Sequence, residues 1–359
     1  MKRAMSSKER VLTALARQEP DRIPINYFAN AGIDSRLRRH FGLADGDNEG
    51  LMKALGVDFR GAGAGYIGPK LHPDVPDRVV TDWGIRMRWI EHPTGGYWDY
   101  CDFPLKDAGL DIIRNWPMPS PDAHDYSGIA AACRANSGYC VVAGGAGEGD
   151  IINSTGMIRG MEQVLVDLLT DDEACLCYID RKIGIQLEVM RRTLEAARGG
   201  IDLLWLGEDL GTQIGPLISI ELFRRHIRPR HQKFVDLAKS FGIPAIIHSC
   251  GSSSWAFDDF IEMGIAAVDT LQPEAANMAP EYLKKRYGRR LAFHGCISTA
   301  GPMAFGTVEQ AVADARRIME TMMPGGGYLF SPTHAIQDNS PTENVLAIYE
   351  AAAKYGVYA

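Results

Sequence analysis

Pro244-Ala-Ile-Ile-His-Ser-Cys-Gly251 is a short apolar run that stops in an imidazole, a hydroxyl, a thiol and a glycine. Its length and its paired isoleucines fit a strand buried on both faces, whereas a buried helix would need about ten residues or more. Similar runs stand at Leu203 to Leu206, Ala266 to Thr270, Leu291 to Phe293 and Gly327 to Phe330, and they alternate with helical patterns such as Ile220 to Phe241 and Val308 to Met322. Alternating buried strands and amphipathic helices predict a parallel α/β sheet.

Working outward, Tyr139 to Gly144 reads as another strand, followed by a long helical pattern from Asp172 to Ala197. Ser6 with Glu9 three residues on has the spacing of a capping box, and Val11, Leu12 and Leu15 fall on one face of the helix it opens. Arg22 to Phe28 is β-rich, and a helix is expected over Ala31 to Phe41. Strand runs near residues 25, 60, 142, 205, 246, 268, 293 and 329 make eight, and no dinucleotide-type glycine fingerprint follows the first. Eight predicts a closed (β/α)8 TIM barrel spanning 1–359, with a hairpin insertion around 80–105 carried by Arg86 to Trp89 and Tyr97 to Tyr100.

The composition agrees with a large buried core: 359 residues, 46% hydrophobic and 23% charged. A net charge of -7, spread along the chain, leaves no basic stripe, so neither nucleic acid nor a membrane surface is an expected partner. Seven irregularly spaced cysteines read as reduced thiols. The segment from residue 1 to Ile25 is charged and lacks an apolar signal core, and no apolar run nears the about 18 residues needed to span a bilayer, so a cytoplasmic protein is expected.

In α/β barrels the C-terminal strand ends converge on one mouth, where active sites are built. Here those ends carry Trp205-Leu-Gly-Glu208-Asp209, His248-Ser-Cys250, Leu271-Gln272-Pro273, His294-Gly-Cys296 and Ser331-Pro-Thr-His334. His248 and Cys250, two apart on a strand, point to the same face, and imidazole with thiolate is a donor pair that zinc favours. A third ligand would come from His334 or Cys296, and Glu208 or Asp209 would supply an oxygen. For His294 and Cys296 taken alone, packing is the expectation. Trp205 and Tyr328 are candidates to line an apolar cavity beside Gln272, where a cofactor would bind. The glycine-rich stretch Gly144 to Gly149 lacks the Lys-Ser/Thr ending of a phosphate loop and is expected to be a loop over the mouth.

Several motifs in order resemble the uroporphyrinogen decarboxylase superfamily: Glu9-Arg-Val-Leu-Thr-Ala-Leu15, Pro20-Asp-Arg-Ile-Pro24, Gly207-Glu-Asp-Leu-Gly-Thr-Gln213, His248-Ser-Cys-Gly251, Pro324-Gly-Gly-Gly-Tyr328 and Ser331-Pro-Thr-His-Ala-Ile-Gln337. The resemblance implies the same barrel, commonly as a homodimer. Its decarboxylases carry an arginine-rich segment after the first strand, but Asn26 to Asp34 has no arginine to clamp a polycarboxylate. Its other branch contains zinc-dependent methyltransferases that move a methyl group between a corrinoid (cobalamin) protein and a small donor or acceptor. By position, that branch implies zinc held by His248, Cys250, His334 and Glu208, with Asp209 beside it, and His334 stands where coenzyme M methyltransferases have cysteine. A corrinoid protein would then be a separate partner. Two alternatives are a tetrapyrrole decarboxylase using Asp58 or Asp209 as its acid, and a barrel that binds a corrinoid or tetrapyrrole without catalysis.

Overall fold

The computed structural model describes residues 4–92 and 95–358. Its strands are β1 (Phe59–Gly61), β2 (Arg86–His92), β3 (Gly95–Cys101), β4 (Cys140–Gly144), β5 (Leu203–Gly207), β6 (Ala245–Ser249), β7 (Ala267–Thr270), β8 (Ala292–Ile297) and β9 (Tyr328–Pro332), with two-residue pieces besides. Seven of them form one parallel sheet in the order β1-β4-β5-β6-β7-β8-β9. The sheet is closed by residues 24–26. Ile25 bridges Phe330 of β9 in parallel, Phe330 N–H donates to the Pro24 carbonyl at 2.8 Å, and Asp58 N–H donates to the Ile25 carbonyl at 2.9 Å. These eight staves are the eight runs expected from the sequence, and the architecture is a (β/α)8 barrel.

The seven strands of the parallel sheet are short and lie between the barrel interior and the helices. All residues of β5, β7, β8 and β9 are buried. The principal helices are α1 (Ser7–Leu15), α2 (Ile152–Arg159), α3 (Glu173–Ala197), α4 (Arg228–Ser240) and α5 (Val308–Met322). The predicted capping box opens α1, with Ser6 Oγ accepting from Glu9 N–H and the Glu9 carboxylate accepting from Ser6 N–H. The pattern from Ile220 to Phe241 is not one regular helix: a π turn occupies Phe223–Ile227 before α4 begins. Pro229, just inside α4, has no N–H to give the preceding turn, which is the physical reason for the break.

Strands β2 and β3 make an antiparallel ribbon with Trp89 opposite Trp98. Residues 93 and 94 between them lie outside the described residues, as do 1–3 and 359, so the readings of 1–359 and 80–105 meet the structure only within those limits. Among the described residues no helix is long and apolar enough to cross a membrane.

The end of the barrel opposite the mouth is tied by charge. Helix α1 lies at the strand starts, with Lys8 N–H bonded to Gly138 O and Arg10 Nη1 2.7 Å from Asp58 Oδ1. Asp58 is fully buried and also accepts from Arg22 Nη1 at 2.8 Å and from Ile25 N–H at 2.8 Å. It therefore sits before β1, away from the mouth, and has no place as the acid of a decarboxylase. Removing its carboxylate takes the carboxylate partner from Arg22, leaves Arg10 with Asp21 alone, and leaves the buried Ile25 N–H unmet. Asp58→Ala is expected to cost about 3–5 kcal/mol in urea unfolding; a loss under about 1 kcal/mol would show that the closure does not depend on this carboxylate.

Candidate metal centre at the barrel mouth

Strand register builds the site. Gly207 pairs with His248, His248 with Asp269, and Asp269 with His294. In a parallel sheet, register partners project to the same side, so three neighbouring strands present His248, Asp269 and His294 as one row. Asp269 bridges the two rings, with Oδ2 2.6 Å from His248 Nδ1 and Oδ1 2.6 Å from His294 Nδ1.

Cys250, two residues beyond His248, places Sγ 3.3 Å from His248 Nε2. Asp209, in the loop after β5, brings Oδ1 to 3.5 Å from the same nitrogen. Its carboxylate is held by Cys250 N–H at 2.8 Å and by Asn153 Nδ2 at 2.7 Å. Gly251 takes φ +67°, and a Cβ there would stand 2.4 Å from the Gly211 carbonyl, so only glycine lets the two loops pass this closely.

Burial works against charge on His248, but the hydrogen bonds its ring donates to the Asp209 and Asp269 carboxylates outweigh it and hold the ring's pKa well above the ordinary value. Burial would raise the Asp209 carboxyl; the His248, Cys250 and Asn153 contacts outweigh it and keep it below the usual range. A ring that donates Nδ1–H to a carboxylate presents Nε2 outward, the arrangement seen behind metal-ligating histidines.

Among the described residues, Asp209, His248 and Cys250 have ligand atoms within 4.8 Å of one another. Tetrahedral zinc with ordinary bond lengths would put neighbouring donors about 3.3–3.6 Å apart. The N···S and N···O separations of 3.3 Å and 3.5 Å lie in that range. An oxygen, nitrogen and sulfur set with one side open is a donor set suited to a catalytic zinc.

The open side faces a cavity of about 530 Å³ whose walls include Phe28, Met52, Val57, Phe59, Val142 and Trp205. Phe28 and Trp205 meet edge to face with centroids 5.5 Å apart. Among the described residues Arg60 is the one lysine or arginine lining it, but its guanidinium is bound by Glu49 at 2.7 Å and by the Val57 and Phe59 carbonyls.

The structure brings together only part of the set read from the sequence. His248, Cys250 and Asp209 converge. His334 lines the cavity, but Nδ1 lies against the Ala335 carbonyl and the Gln337 amide, and the ring is outside the three-donor group. Trp205 also lines the cavity. Glu208 does not: it is fully buried on the far side of the strand end, and accepts from the N–H groups of Ile151 and Ile152 at 2.9 Å each, where α2 begins. Adjacent residues at a strand end point oppositely, which is why Asp209 and not Glu208 meets His248.

Cys296 is fully buried, and burial raises its thiol pKa above the working range. Tyr328 is buried and donates to the Gly295 carbonyl, and Gln272 is half-buried and pairs with Gln213; none of these three lines the cavity. His294 is more than packing, because its ring is hydrogen-bonded to Asp269. Of the glycine-rich stretch, Gly144, Gly145 and Ala146 line the cavity. Sequence reasoning missed Asp269, Asn26 and Asn153. The available signal for Asp269 was a carboxylate inside the apolar run Ala266-Ala-Val-Asp-Thr270, where an unpaired charge would be costly.

The family model described as uroporphyrinogen decarboxylase (URO-D) matches residues 145–355, more than half of the sequence. The chain belongs to the URO-D family. A uroporphyrinogen decarboxylase of Anaeromyxobacter dehalogenans (strain 2CP-C) is 27% identical over 156 residues, 42% of this chain and 39% of that protein. This match therefore spans about two fifths of the relative's length. A methyltransferase from Methanosarcina mazei superposes with a TM-score of 0.64 over 98% of this chain and 99% of its own, at 16% identity, which shows a common fold. Xylanase 10B from Thermotoga maritima gives a TM-score of 0.41 at 9% identity, over 70% of this chain and 92% of its own, too low to carry an argument.

Glu208 offers a pH test of its placement. Burial raises its carboxyl from 4.5 to about 8, against the pull of the two backbone N–H groups. A raised carboxyl favours the fold in its neutral form, so its contribution is present below 4.5 and lost as pH climbs through about 8. Glu208→Gln removes that titration. The thermal-midpoint deficit of the variant is expected to be largest near pH 5 and to shrink towards pH 8; a deficit that stays constant over this range would contradict the assignment.

Proposed function

We propose that this protein is a zinc-dependent methyltransferase that moves a methyl group between a small methylated substrate and a corrinoid carried on a partner protein. The observation that supports it is the carboxylate, imidazole and thiol group of Asp209, His248 and Cys250, facing a largely apolar cavity, with both separations from His248 Nε2 close to those of a tetrahedral site. Likeness in fold to the methyltransferase from Methanosarcina mazei is in keeping with this reading.

Zinc there would supply a Lewis acid that makes a heteroatom a better leaving group. Cys250, His248 and Asp209 would hold it, and Asp269 would fix the imidazole. One thiolate, rather than two, leaves the ion more electrophilic, which favours demethylation of an oxygen or nitrogen substrate over activation of a thiol. In that direction the carbon–oxygen or carbon–nitrogen bond would break with its electron pair left on the heteroatom, and the methyl group would pass to the partner's reduced corrinoid, which would supply the pair for the new bond. Phe28, Trp205 and the apolar wall would hold the substrate body and keep water away. His334, at the cavity lining, would reach the ion only after a change of side-chain position, and we assign it to the substrate side. A homodimer in the cytoplasm completes the reading.

The family's decarboxylase chemistry is the second reading, favoured by the matched family model. It lacks a carboxylate clamp here, since Arg60 is committed to Glu49 and to backbone carbonyls. A barrel that binds a macrocycle without catalysis would need neither the donor group nor its carboxylate support.

Cys250→Ala is expected to abolish both bound zinc and methyl transfer to a reduced corrinoid protein. Full zinc content by plasma emission in the purified variant would remove Cys250 from the ligand set. Turnover of uroporphyrinogen by the metal-free wild type would replace the methyltransferase reading with the decarboxylase one.

A further inference from the structure

We propose that Asn26 is a positioning residue that fixes the tautomer of His294 and, through Asp269, the direction in which His248 presents its free nitrogen. The backbone N–H of Tyr27 can act only as a donor. It donates to Asn26 Oδ1 at 2.9 Å. A donor can be met only by the amide oxygen, so the other arm of the Asn26 side chain, 3.1 Å from His294 Nε2, is the NH2. His294 Nε2 must then accept, and its proton sits on Nδ1, pointing at Asp269 Oδ1 2.6 Å away. The other oxygen of Asp269 is left as acceptor for His248 Nδ1–H at 2.6 Å. His248 Nε2 thereby faces Cys250 and Asp209.

Packing holds the Asn26–His294 pair in place. Asn26 and His294 are 4% and 0% exposed, and the His294 ring is held edge to face by Trp205 and Phe59, with centroids 5.0 Å and 5.6 Å away. One backbone N–H thus orders protons through four side chains to the donor group.

The link to metal rests on the zinc reading; the tautomer assignment does not. Asn26→Asp is the informative change, because it is nearly isosteric and keeps an oxygen for Tyr27 N–H while turning the donor that faces His294 into an acceptor. His294 is then expected to take a proton on Nε2. Either it becomes an imidazolium that draws charge from Asp269, or it gives up its hydrogen bond to Asp269. Both outcomes loosen the support of His248.

The experiment uses full-length protein labelled with 15N-histidine. Long-range 1H–15N spectra of metal-free protein are recorded, with His294 identified by its loss in His294→Asn. Wild type is expected to show Nδ1 protonated and Nε2 bare, and Asn26→Asp to show Nε2 protonated. Zinc affinity by chelator competition is expected to fall about tenfold in the variant, at the low end for partners behind metal-bound histidines. A wild-type Nε2 that carries the proton overturns the proposal, and needs no variant to fold. A variant whose tautomer changes while zinc affinity stays within about twofold overturns the link to the metal site. If wild type binds no zinc at all, the zinc reading fails, and the spectra still decide the tautomer assignment.

Discussion

Closure of the barrel at Ile25 is the constraint on which the rest depends. Ile25 donates its N–H to the Asp58 carboxylate and accepts from Asp58 N–H, while its neighbours bond to β9. Asp58 is in turn held by Arg10 and Arg22. A seam made by three residues has few hydrogen bonds of its own, so a buried, charge-assisted anchor carries a large share of its definition. Seen this way, the ion pairs at the strand starts and the chemistry at the strand ends belong to one element.

The reason is adjacency in sequence. Once Ile25 is fixed at the seam, Asn26 reaches His294, and Tyr27 and Phe28 enter the cavity wall. Had the sheet stayed open between β1 and β9, His294 would lose its partner on Nε2 and the cavity one of its aromatic walls. The site is rigid because its side chains come from neighbouring strands in fixed register, and a row of imidazole, carboxylate and imidazole is possible only when that register is exact to one residue.

Charge at the mouth is arranged in two separate groups. Asp209, Asp269 and His248 lie on the cavity side and keep the carboxylates ionised. Behind the strand ends, Glu208 sits at the start of α2 with His231 Nε2 3.3 Å away and Lys182 close by, in surroundings dry enough to push the acid up and the bases down. The carboxyl groups of residues 208 and 209 are adjacent in sequence and shifted in opposite directions, because the strand alternates its faces.

What the sequence determined by itself is the periodic part. Eight apolar runs with their separating helices specified the barrel, since burial on two faces writes itself into composition at each strand, and the capping box of α1 is a local spacing. It also placed His248, Cys250 and Asp209 at strand ends, because a mouth is where polar residues follow apolar runs. The tertiary structure alone decided which of those ends meet. Strand register selected Asp209 over Glu208, turned Cys296 and Tyr328 into the interior, left Gln272 outside, and set Asp269 between two histidines. It also brought Asn26 to His294 across 268 residues of chain. Register and closure are relations between distant segments, so no local pattern of residues encodes them.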